Sequence, residues 1–290
     1  MKTRIIIGIA VLCIASIATA EWPPSVAWWS TQIGTTSTDY CGEVAVDAAG
    51  AIYINGRTRG DLGGTNVGGL DVFVTKRDAS GAEIWTQQIG TTGQDQSNAM
   101  ALDSSGNAYI TGRTSGVLGD AKIGNYDAFL TKLDTSGSVL WTQQFGTAYN
   151  DISESVATDA AGNVYVTGYR EEHVFDSFTN IALTKFDPAG TELWSQAIIT
   201  PNLERSYDVA VDSSGNTYIT GYTDGVLDDA NAGLSDAFLM KFDTSGNQVW
   251  TQQIGTSASD RGNAVAVDAA GNVFITGVSS GDLAGTSAGS

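Results

Sequence analysis

Five acidic residues, Asp39, Asp95, Asp151, Glu204 and Asp260, return at steps of 56, 56, 53 and 56 positions along a chain of 290 residues. Each stands five positions after a glycine (Gly34, Gly90, Gly146, Gly255), or after Ile199 in a glycine's place. One acid per repeat, on loops that lead into the same strand, would set a ring of carboxylates around the mouth of a central channel. Such a ring could hold a basic ligand or a cation, calcium being the ion suited to oxygen ligands; no other cofactor is expected. Two of its members at the right separation could also act as general acid and base. The alternative at the same positions is that each carboxylate caps its own loop by accepting backbone N–H bonds.

A second group of candidates breaks the repeat. In the third unit Arg170-Glu-Glu-His-Val-Phe-Asp-Ser-Phe178 replaces a Gly-rich loop, and Thr200-Pro-Asn-Leu-Glu-Arg205 replaces a Gly-Thr loop. Side by side, these two loops would gather Glu171, Glu172, His173, Asp176, Glu204 and Arg205 into a charged contact surface around the chain's single histidine. The plain alternative is that one unit has drifted. Catalytic motifs are otherwise thin. Gly285-Thr-Ser287-Ala-Gly289 fits G-x-S-x-G, but no strand precedes it and no helix follows, as a nucleophile elbow requires. One histidine excludes zinc sites of the H-E-x-x-H kind.

The elements that must carry these residues are legible from the same period. Trp29, Trp85, Trp141, Trp194 and Trp250 recur inside near-copies of W-T-Q-Q-x-G-T, and a fixed period of this length marks a solenoid or a propeller. Within one unit, Ala99–Asp103, Asn107–Gly112, Asp127–Asp134 and Ser138–Phe145 read as four short strands rich in β-branched and aromatic residues. D-x-x-G turns join the first strand to the second at Asp47, Asp103, Asp159, Asp212 and Asp268, and the third to the fourth at Asp78, Asp134, Asp187 and Asp243. In such turns Asp bonds the backbone ahead of it and Gly takes the positive φ, so these nine acids are structural. Small residues at one register of the first strand, Ala45, Ala101, Ala157, Ala210 and Ala266, place that strand innermost, where blades converge, and the tryptophan strand at the rim.

The fold expected is therefore all-β: a β-propeller of four-stranded blades at about 42–90, 98–146, 154–199 and 207–255, with a partial fifth at 263–290 and a lone fourth strand at 28–33. An array that stops before an expected strand is read as a piece of a larger ring, the alternative being a five-bladed ring with a defective closing blade. Lys2 and Arg4, the apolar run Ile5–Ile17 and Ala18-Thr-Ala20 form a secretory signal over residues 1–20, so the mature domain spans 21–290 and is expected to be secreted, periplasmic or on the cell surface. The run is shorter than the roughly 20 apolar residues a bilayer span needs, so no membrane span is expected after cleavage. Cys41, aligned with Ser97 and Ser153, is read as a small packed residue. A formal net charge of −18 from 32 acidic and 14 basic residues excludes nucleic acid as a partner, because that binding rests on Lys and Arg.

The recurring text D-A-F-L-T-K-L-D-x-S-G-x-x-x-W-T-Q-Q-x-G-T followed by A-x-D-x-x-G-N-x-Y-I-T-G resembles the bacterial SBBP-type β-propeller repeat over about residues 28–290. The resemblance implies an exported bacterial propeller of seven blades and brings no catalytic residues. A weaker likeness joins Asp134, Gly137 and Trp141 to the tryptophan-docking motif of quinoprotein propellers, without that family's quinone and calcium ligands. The function expected is a non-catalytic scaffold that binds a protein, glycan or cation through its loop face. The alternative is an extracellular propeller hydrolase or lyase using carboxylates at the channel mouth.

Overall fold

The structure is a computed structural model that describes residues 7–10, 28–171, 178–228 and 230–283. Ile7–Ala10 (β1) pairs in parallel with Trp28–Thr31 (β2). Four antiparallel blades follow, each with its strands in sequence order. Blade one is Asp39–Val46, Ile52–Thr58, Asp71–Arg77 and Glu83–Ile89 (β3–β6), and blade two is Asp95–Leu102, Ala108–Thr114, Asp127–Leu133 and Val139–Phe145 (β7–β10). Blade three is Asp151–Thr158, Val164–Glu171, Thr179–Phe186 and Glu192–Ile198 (β11–β14). Blade four is Glu204–Val211, Thr217–Thr223, Asp236–Phe242 and Gln248–Ile254 (β15–β18), and a two-stranded sheet of Asp260–Val267 and Val273–Ser279 (β19–β20) begins the fifth. First strands of successive blades lie against one another, which puts them innermost.

The turns form as their residues dictate. At the tip of β9–β10, Asp134 Oδ1 accepts the N–H groups of Ser136 at 2.8 Å and Ser138 at 2.9 Å, and Gly137 adopts φ 87°. The core lies between blades rather than within them: Tyr53, Val72 and Val74 of blade one close on Met100, Ile110 and Phe129 of blade two. The tryptophans lock the same seam near the rim. Trp85 packs on Tyr53 of its own blade, ring centroids 5.9 Å apart, and donates its indole N–H to the Thr135 carbonyl of the next blade at 3.0 Å. A Cβ at Gly137 would sit 2.7 Å from the Trp85 ring, so this turn needs glycine both for φ and for contact. Trp141 and Trp194 repeat the arrangement on Gly190 and Gly246. Trp29 docks on Gly81 in the same way, as a fourth strand should, yet β2 pairs with β1 and not with the fifth-blade sheet. Among the described residues the ring is not closed.

The first strand of each blade begins three residues earlier than the alternation of its residues suggests, at the periodic acid itself. A β-bulge causes this. Pairing slips between Ser97 and Ala99, Ser153 and Ser155, Ser206 and Asp208, and Gly262 and Ala264, and the extra residue breaks the two-residue pattern that would reveal the strand.

Candidate functional site

Because it opens a strand, each periodic acid faces back into the loop before it. Asp39, Asp95, Asp151 and Asp260 accept the N–H of the threonine four residues earlier at 2.6–2.7 Å, and Glu204 accepts the Thr200 hydroxyl at 2.5 Å. Thr58 and Thr114, across the strand pair, donate their hydroxyls to Asp39 and Asp95, and Thr223 does so to Glu204 at 3.1 Å. Asp95, Asp151, Glu204 and Asp260 are buried. Burial pushes the Asp95 and Glu204 carboxyls up despite those hydrogen bonds, and carries Asp151 to about 6. One oxygen of each is turned into its own loop, while Glu204 Oε2 and Asp260 Oδ1 are buried without a hydrogen-bond partner. Among the described residues no three His, Cys, Asp or Glu side chains gather as metal ligands.

A second acid in blades one, two and four, which the sequence reading passed over, fixes the long loop between the second and third strands. Asp127 accepts the N–H groups of Ile123 and Gly124 at 2.8 and 2.6 Å. Gln144, the second glutamine of W-T-Q-Q, donates to Asp127 at 2.6 Å and to the Gly116 carbonyl at 3.0 Å, and accepts Leu118 N–H at 2.9 Å. Gln88 with Asp71 and Gln253 with Asp236 repeat the clamp. Gly90 and Gly255 complete it, since a Cβ on either would lie about 2 Å from the Asp71 or Asp236 carboxylate. In blade three Asn180, Ala197 and Ile199 occupy these three places together. The unit's missing three residues fall in the loop this clamp would have held.

The divergent loops of blade three meet where they are described. Thr179 donates its hydroxyl to the Glu204 carbonyl at 2.9 Å, and Thr200 N–H reaches Asn180 Oδ1 at 3.3 Å. Glu171 accepts Asn150 Nδ2 at 2.6 Å, which ties it to the loop before β11. Arg205 leaves that surface: its guanidinium lies 4.2 Å from the centre of the Tyr169 ring, towards the axis. Glu172, His173 and Asp176 lie outside the described residues.

One rung below the loop face, the axis carries Arg205 together with three arginines that sequence reasoning missed, Arg57, Arg113 and Arg261. Arg57 and Arg113 sit on second strands, opposite Tyr40 and Gln96; Arg205 and Arg261 sit on first strands, opposite Tyr222 and Val278. Their chain positions differ while their rung is the same, so strand pairing alone makes them equivalent. Arg57 and Arg113 both donate to Gln96 Oε1, at 3.3 and 3.1 Å. Arg261 lies 5.9 Å from the centre of the Tyr207 ring. Tyr40, Cys41, Gly42, Arg57, Ser97, Asn98 and Glu154 line an axial cleft of about 210 Å³. Cys41, read as a packed residue, is exposed there.

The model of the β-propeller repeat family matches residues 29–63, 84–119, 140–169, 201–228 and 249–284, more than half of the chain. A regulatory protein, FlaEY, of Caulobacter vibrioides is 36% identical over 109 residues, covering 35% of this chain and 11% of its own. An uncharacterized WD repeat-containing protein of Acanthamoeba polyphaga mimivirus is 23% identical over 241 residues, covering 62% of this chain and 17% of its own. The chain thus spans a small part of the length of either curated relative. A solved protein of unknown function from Bacteroides caccae superposes with a TM-score of 0.38 at 13% identity, over 74% of this chain and 82% of that one. No helix among the described residues is long and apolar enough to cross a membrane. With five matched repeats and the four-stranded blades that they build, the chain belongs to the SBBP β-propeller repeat family.

Proposed function

We propose that the chain is an exported, non-catalytic scaffold that engages a protein or glycan through the face bearing its long loops. The observation that carries this reading is how the acids of that face are used. Of the five carboxylates that could have formed a catalytic pair or a metal cage, all but Asp39 are buried, and each accepts a hydrogen bond from its own loop. What this face offers a partner is loop backbone, clamped in place by Gln88, Gln144 and Gln253. Rigid blades presenting loops of differing sequence on one face suit recognition. Export rests on Lys2, Arg4, the apolar run after them and Ala18-Thr-Ala20. The hydrolase reading has less support, since it needs two free carboxylates in one cleft.

A glycan array probed with the purified chain tests the proposal. Binding should vanish when residues 116–126 are replaced by a Gly-Ser segment and persist when Ser105, on the opposite turn face, becomes Lys. Release of new reducing ends from a bound glycan, or binding that depends on the turn face, would overturn it.

A further inference from the structure

The axial arginines stand out against the rest of the molecule. The chain has 32 acidic residues to 14 basic ones, so an arginine placed at random would meet a carboxylate. Among the described residues, the contacts of Lys or Arg with a carboxylate within 4.0 Å are Lys76 with Asp47 and Arg77 with Glu83. Arg57, Arg113, Arg205 and Arg261 make none. Arg57 and Arg113 instead share a single neutral oxygen, and each lies within electrostatic reach of the other. The Nε–H groups of Arg57 and Arg205 are buried and donate to nothing. An unsatisfied buried donor and a pair of like charges both oppose folding, and an anion arriving at Arg57 and Arg113 relieves both.

We propose that Arg57, Arg113 and Arg205 form a binding site for a single small oxyanion group, a carboxylate, sulfate or phosphate, carried by the ligand of the loop face. The proposal rests on the scaffold reading and gives its ligand a chemistry. A guanidinium presents parallel N–H donors that match two oxygens of such a group. Stacking of Arg205 on Tyr169 occupies a ring face and leaves its terminal donors to bind. Asp224 and Asp260 line a separate cleft with Arg261, and three further acids share the neighbourhood. Glu43 accepts the N–H of Met100, and Asp208 accepts the Ser155 hydroxyl and the N–H of Val265, so both serve to join blades. Glu154 accepts only Asn98 Nδ2, at 3.3 Å, and feels both Arg113 and Arg205. It is the one acid in the cleft with Arg57, and it sets a limit on how much negative charge the site admits. The net charge of −18 repels polyanions at a distance, which fits a ligand with one acidic group near the axis.

Isothermal calorimetry of the whole chain at fixed ionic strength, against acetate, glucuronate, sulfate and inorganic phosphate with chloride as control, tests the proposal and distinguishes the oxyanions. At least one should bind saturably at millimolar concentration or below. The double substitution Arg57→Gln with Arg113→Gln should weaken it by about tenfold or more, and Glu154→Gln should tighten it, a gain that a misfolded variant would not show. Absence of saturable binding by all four anions, or binding indifferent to these substitutions, would overturn the proposal. The scaffold reading fails separately: anions that bind a chain inert on the glycan array leave the axial site standing, whereas array binding to neutral glycans that survives the double substitution leaves only the scaffold.

Discussion

A carboxylate buried at the first residue of a blade works against its own charge. Asp151 accepts the Thr147 N–H and hydroxyl at 2.6 and 3.1 Å, yet desolvation outweighs these bonds and its pKa stands at about 6. A folded-state pKa above the unfolded one means that the folded chain holds the proton more tightly. The stability so gained is complete below the ordinary carboxylate range and is lost as pH rises through about 6. Asp95 and Glu204 shift in the same direction for the same first cause. The turn acids act oppositely. Burial pushes Asp103, Asp159 and Asp212 up, but the hydrogen bonds from their own turns more than offset it, so their stability is lost as pH falls below the ordinary carboxylate range. The fold should therefore be most stable in mildly acidic solution, between about pH 4 and 6. Asp151→Asn retains an acceptor for Thr147 and removes the charge; its melting temperature should exceed that of the parent by roughly 2–4 °C at pH 7 and match it near pH 4. A variant less stable than the parent at pH 7 would show that the carboxylate is needed in its charged form. The period marked all five acids in the sequence. Which way their oxygens turn depends on a bulge three residues further on, and that leaves no periodic trace.

At the scale of the element, the informative unit is a clamp of three residues on three different strands or loops. Gln144 bonds Asp127, the Gly116 carbonyl and the Leu118 and Gly119 N–H groups, so one side chain holds the loop from Ser115 to Tyr126 onto blade two. Gln144→Ala should cost about 1–3 kcal/mol and open that loop to limited proteolysis while cleavage elsewhere stays unchanged. An uncut loop would mean that Asp127 alone suffices. Ala197→Gln in blade three should not create a clamp, because Asn180 and Ile199 have replaced its acid and its glycine and the loop is shorter. The recurring text W-T-Q-Q-x-G-T was legible as strand and rim tryptophan, but the work of its second glutamine was not, since its partners lie 17 and 28 residues away in sequence. The shared rung of the axial arginines was hidden for a related reason: Arg57 and Arg205 become level only after antiparallel pairing brings a second strand of one blade beside a first strand of another.

Across the whole molecule, each blade supplies half of the core on either side of it, so stability is shared between neighbours as in other repeat arrays. Among the described residues the inner blades are flanked by two blades and the end units by one, the far side of blade one carrying only Trp29 and Ile33 against Ile52, Ile54 and Phe73. Val44 of blade one is 58% exposed, whereas its counterparts Met100, Val156, Val209 and Val265 are 3–7% exposed under the preceding blade. Phe274 of the fifth sheet is 58% exposed where Tyr53, Tyr109 and Tyr165 are fully covered by the following one. These two faces are the two halves of the seam that joins every inner pair of blades. In a chain whose seams act between nearest neighbours, opening should start at β3 and at β19–β20 and proceed inward. Amide hydrogen exchange should accordingly find the strongest protection from β7 to β17 and the weakest in the end strands. Equal protection across all the blades would mean instead that in solution the Val44 and Phe274 faces are covered, and the same Val–Tyr pattern that covers them inside the molecule would then describe the surface that does so.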